Sequence, residues 1–129
     1  VDDLVEFLRA RLDEDEALAR EAPAGPWYIG NAVDPTQPCS VHTFPSVRLV
    51  ADGLNWLVAE HIARQNPARV LAEVEAKRRI LAVHRPYVPE PDQACLGCAG
   101  GIMFTSCPVV RLLALPYADH PDYCDEWRP

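Results

Sequence analysis

Between His84 and Cys107 the chain reads HRPYVPEPDQACLGCAGGIMFTSC, one histidine and three cysteines with a Cys-x2-Cys pair at the centre. Two thiolates separated by two residues can both face one tetrahedral Zn2+ ion. No other constellation in the sequence asks for a specific chemistry. An ion held there would organise the C-terminal third of the chain, whatever the protein does with it.

The spacing His-x10-Cys-x2-Cys-x8-Cys assigns His84, Cys95, Cys98 and Cys107 as ligands. Gly97 stands inside the Cys95–Cys98 knuckle, where a tight turn often needs a positive φ. Gly100 and Gly101 let the loop fold back towards Cys107. That residue precedes Pro108 and so opens a helix, where the macrodipole favours a thiolate. His84 is the chosen fourth ligand because it ends a helix and closes a compact site; His120 and Cys124 compete for the position. Four protein ligands leave no open coordination position, which makes such a site structural. Three bland readings stand beside it, one being that His84 is a helix C-terminal cation and no ligand. In the other two the thiols are small core residues, or Cys95 and Cys98 form a redox pair, although a redox pair needs a βαβ setting and this one follows a proline-rich loop.

A length of 129 residues, 49% of them hydrophobic, suits a single domain spanning 1–129, with the metal segment 84–107 inside it. The net charge of −7 is unevenly spread. Residues 1–21 carry eight acids against three arginines, whereas residues 61–85 carry six basic residues against Glu73 and Glu75. An acidic chain repels polyanions at long range, which disfavours nucleic acid, although a local basic patch still acts within a Debye length of roughly 8–10 Å. No apolar run approaches the roughly 20 residues that span a bilayer, so no membrane partner is expected. No export signal opens the chain, and five cysteines do not pair off into a disulfide framework. A cytoplasmic location follows as the expectation.

Hydrophobic periodicity outlines an α+β fold: an N-terminal amphipathic helix, a small antiparallel sheet, a helix pair, the zinc-knuckle loop and a C-terminal helix. Leu4, Val5, Leu8, Leu12 and then Leu18 mark the apolar face of the first helix, which runs from Asp2 to about Arg20. Pro23, Gly25 and Pro26 stop it. Strand-like runs follow at 27–30, 39–44 and 47–51, then a helical pattern over 54–65. Asn66-Pro67 caps a helix over 67–83, with Val70, Leu71, Val74 and Leu81 on one face. Cys107-Pro108 starts the last helix, with Val110, Leu113 and Ala114 inward, and an acidic tail carrying Tyr117, Tyr123 and Trp127 closes the sequence.

Catalytic signatures are missing. There is no HExxH zinc helix, no H-x-E with Pro-Cys-x-x-Cys, no phosphate-cradling glycine loop and no G-x-S-x-G elbow. His61 is a lone helical histidine and reads as structural. Lys77, Arg78 and Arg79, with Arg85, form the best candidate contact surface for a partner or for phosphate. The bland alternative is a solvated helix face that pairs with Glu73, Glu75 or the acidic ends. Cys39, in a strand-like run, reads as a buried or idle thiol.

Several runs together resemble a known family: the opening helix with PAGPW, the segment AEHIARQNPARVLAEVEAKRRIL, the run HRP…CLGC…CPVVRLLALPYADHPDY and the closing EWRP. They resemble an actinobacterial family, found also in phages of those hosts, that is catalogued only as a domain of unknown function. The first half has a more remote similarity to phage accessory proteins of the Ead/Ea22-like type. The resemblance implies a zinc site at His84, Cys95, Cys98 and Cys107, argues against Cys124 as a ligand, and implies no activity. The expectation is therefore a small zinc-stapled accessory protein that binds a protein partner. A nucleic-acid module built on residues 77–85 is the alternative, and an enzyme with an open zinc position in place of His84 is the weaker one.

Overall fold

A computed structural model describes residues 2–30, 34 and 36–129. Four helices and a three-stranded antiparallel sheet make the chain α+β: α1 (Asp2–Glu21), β1 (Trp27–Gly30), β2 (Cys39–Thr43), β3 (Leu49–Leu54), α2 (Trp56–Arg64), α3 (Pro67–Val83) and α4 (Pro108–Ala114). The chain forms two compact units, one from Val1–Glu14 with Val74–Pro129, the other from Asp15–Glu73.

In the second unit the strands form a meander in the order β1-β2-β3. Register pairs Tyr28 with His42 and Ile29 with Val41 on one side of β2, and Cys39 with Leu54 on the other. Alternation puts Trp27, Ile29, Cys39 and Val41 on one face, and α2 covers that face through Ala59, Ile62 and Ala63. Cys39 is buried there, its thiol donating to the Leu54 carbonyl at 3.3 Å. The third strand lies later than the periodicity indicated, at 49–54 instead of 47–51, because pairing with β2 carries it on to Leu54. Asn55 then begins α2, its side-chain oxygen accepting from the Leu57 N–H at 2.8 Å. Asn66 does the same for α3 through the Arg69 N–H at 3.2 Å, with Pro67 in the first helical position.

Leu4, Leu8 and Leu12 of α1 are buried, the last two completely. Each is worth about 1.5–3 kcal/mol of burial relative to exposure. Leu18 does not continue this face; it is 71% exposed. One heptad beyond Leu12 the helix returns to nearly the same direction at Ala19, which is buried, while Leu18 falls about 100° away.

In the first unit the tail is held to α1. Phe7 meets His120, Tyr123 and Trp127 at ring-centroid distances of 5.6, 5.8 and 5.2 Å. The Arg11 guanidinium lies 5.1 Å from the Phe7 ring centre, pairs with Glu14 at 2.7 Å and approaches the His120 ring nitrogens at 2.8 and 3.0 Å. Arg111 of α4 donates to the carbonyls of Thr105, Glu126 and Arg128 at 3.0–3.2 Å, clasping the end of the chain. The tail aromatics were legible in the sequence. The two arginines that anchor them were not, since nothing in their spacing separates a buried guanidinium from a solvated one. Among the described residues, no helix is long and apolar enough to cross a membrane.

Candidate metal centre

Three elements of the first unit deliver the cluster. His84 follows the last turn of α3, where its N–H still bonds to the Ile80 carbonyl at 2.9 Å. Pro86 prevents the helix from continuing. The chain then returns through a narrow ribbon in which Pro86 bridges Cys95 and Ala94 bridges Met103. The Leu96 N–H bonds to the Arg85 carbonyl at 2.9 Å, and the Cys95 N–H to the Ile102 carbonyl at 2.8 Å, so the knuckle is tied to both flanking segments. Gly100 and Gly101 turn the loop with φ of 81° and 70°, conformations that glycine adopts without steric cost. Cys107 occupies the N-cap of α4, immediately before Pro108.

The donor atoms of His84, Cys95, Cys98 and Cys107 all lie within 4.8 Å of one another. His84 Nδ1 is 3.5 Å from each of the three sulfurs. The Cys107 sulfur is 3.7 Å from that of Cys95 and 3.6 Å from that of Cys98. A tetrahedron built with Zn–S of about 2.3 Å and Zn–N of about 2.0–2.1 Å has S–S edges of about 3.8 Å and N–S edges of about 3.5 Å. Five of the six donor–donor edges thus have the dimensions of a tetrahedral site. Cys95 and Cys107 are buried and Cys98 and His84 are half-buried.

Electrostatics point the same way. Desolvation first, then hydrogen bonds and charge from the Cys107 and Cys95 sulfurs, push the Cys98 thiol up to about 12. Three thiolates this close repel one another, and a divalent cation is the species that relieves the repulsion. The four residues can hold a metal ion, and a three-sulfur, one-imidazole donor set is compatible with zinc.

Gly97 serves the site differently from the sequence expectation. Its φ is not positive; the need is space. A Cβ there would lie 2.7 Å from His84 Nδ1 and 2.8 Å from Cγ and Cε1. The imidazole lies against bare backbone, and only glycine permits that approach.

The competing ligands lie elsewhere. His120 sits against Phe7 and Arg11, with its Nδ1 accepting from the Asp122 N–H at 3.1 Å, and Cys124 is exposed. The basic stretch divides. Arg78 pairs with Asp13 at 2.6 Å and Arg79 with Glu75 at 2.8 Å, while the Lys77 ammonium lies 5.5 Å from the Tyr117 ring centre. Arg85 is exposed and has no side-chain partner among the described residues. His61 is exposed on α2, remote in sequence from the cluster.

No curated protein and no solved structure matches the chain. One family model spans it from end to end, over residues 1–129. The chain belongs to that family, a family of unknown function designated DUF6221.

Proposed function

We propose that this protein is a binding module whose first unit is held together by one structural zinc ion on His84, Cys95, Cys98 and Cys107. The observation that carries the reading is the set of 3.5–3.7 Å edges among the four donors, which match a closed tetrahedral site. His84 completes the set at equal distance from all three sulfurs, so no position is left for water or substrate, and the ion's role is architectural. It fixes the end of α3 against the start of α4. Around it the loop presents Tyr87, Leu96, Ile102 and Met103 to solvent, with Tyr87 69% exposed. A protein partner suits such a surface, since aromatic and methionine side chains are favoured at interface cores. A phage or actinobacterial setting, and a cytoplasmic one, rest on the sequence alone.

Metal analysis of the purified protein should find about one zinc per chain, with Cys95, Cys98 and Cys107 protected from titration until a chelator is added. Metal-free protein in which Cys95, Cys98 and Cys107 titrate freely would overturn the reading. The partner half is tested by Leu96→Asp with Met103→Asp, which should keep the zinc and abolish a partner complex formed by the parent protein.

A nucleic-acid reading through Lys77, Arg78, Arg79 and Arg85 has less support, because phosphate would have to compete with Asp13 and Glu75 for two of these cations. It requires salt-sensitive binding that Arg78→Glu with Arg79→Glu removes.

A further inference from the structure

Seven arginines belong to the first unit, and five are engaged. Arg11 holds Glu14 and His120, Arg78 holds Asp13, Arg79 holds Glu75, Arg128 holds Asp125, and Arg111 holds three backbone carbonyls. The remaining two, Arg9 and Arg85, are exposed and have no side-chain partner among the described residues. Both line one cleft of about 250 Å3. They lie 76 residues apart in the sequence, and only the tertiary fold brings them to one cleft.

We propose that this cleft binds a small organic oxyanion, a carboxylate or phosphate head on a compact apolar body, with Arg9 and Arg85 taking the head. Both arginines line the cleft, and a guanidinium offers an oxyanion planar, forked N–H donors. Leu81 and Phe104 line the same cleft and are themselves 9% and 8% exposed, so they supply an apolar wall for the body of the ligand. Each arginine sits on an anchored backbone. Arg9 lies between the fully buried Leu8 and Leu12 on α1, and the Arg85 carbonyl is bonded to the Leu96 N–H of the knuckle. Glu6, also on the cleft, disfavours a bare multiply charged anion and accepts a hydrogen bond from a ligand that carries a hydroxyl or ammonium.

His84 also lines the cleft, so the site borders the metal centre, but neither arginine belongs to the ligand set. Titrations of the isotope-labelled protein with phenyl phosphate, benzoate and inorganic phosphate, followed by amide NMR, test it. At least one aromatic anion should shift the amides of Arg9, Leu81, Arg85 and Phe104 with a Kd of about 1 mM or tighter, and inorganic phosphate should shift the same amides more weakly. Whichever aromatic anion binds tighter identifies the head group. Arg9→Gln and Arg85→Gln should each weaken binding about tenfold or more, while Arg48→Gln, an arginine of the other unit, should leave it unchanged. Metal content and melting of each variant, measured alongside, separate lost contact from lost fold. If Arg85→Gln disturbs the knuckle, Arg9→Gln on its own carries the same expectation. Shifts located elsewhere, shifts that survive both substitutions, or none at about 10 mM anion would overturn the proposal.

Discussion

His84 and Gly97 lie so close that any side chain on Gly97 would enter the imidazole: a Cβ would meet Nδ1 at 2.7 Å. The atom it would displace is the one that stands 3.5 Å from all three cysteine sulfurs. The smallest residue in the knuckle thus sets the position of its only nitrogen donor. Gly97→Ala should leave the three thiols in place and push the ring outward. Zinc affinity should fall by roughly ten- to a hundredfold, the range seen when groups that orient a ligand are lost. Competition against a chromophoric chelator measures it, and an unchanged affinity would show that the imidazole is not a ligand.

Removing the metal should loosen the first unit. The segment from Pro86 to Cys107 has few buried side chains besides its own cysteines and Phe104, so little else can hold it. Zinc at a free concentration about a thousand times its Kd should stabilise the folded chain by about 4 kcal/mol. Denaturant titrations with and without a chelator give this difference. Cys107→Ser should abolish it, since the oxygen of serine is a poor substitute for a thiolate ligand.

Zinc uptake should release protons. Without metal the Cys98 thiol is pushed up to about 12, so at neutral pH it is protonated and its proton must leave when the sulfur binds the ion. Protons and zinc then compete, and affinity should rise with pH across the neutral range. Calorimetry in two buffers of different ionisation enthalpy counts the protons released. A pH-independent affinity with no proton release would mean that thiolates are not the ligands.

Arg111→Ala should free the end of the chain. Its guanidinium donates to the Thr105, Glu126 and Arg128 carbonyls, and charge-assisted bonds of this kind are worth about 1.5–3 kcal/mol. The loss should appear as a comparable drop in stability, faster proteolysis after residue 118 and a red shift in Trp127 emission. The metal centre should keep its zinc, because no hydrogen bond from the Arg111 side chain reaches a ligand residue.

Local chemistry wrote much of this protein plainly into its sequence. The helix starts at Asn66-Pro67 and Cys107-Pro108, the stop before Pro86, the three short strands and the grouping of His84 with Cys95, Cys98 and Cys107 all follow from neighbours within about a dozen residues. Such features depend on backbone dihedrals, on capping and on spacing, which a linear string carries. Tertiary packing decided the rest. It buried Arg11 against His120, used Gly97 for close approach instead of a turn, and brought Arg9 and Arg85 to one cleft. The physical reason is common to these cases. Whether a charge is paired, or a glycine crowded, depends on atoms that the fold brings from far along the chain, and no local pattern encodes that meeting.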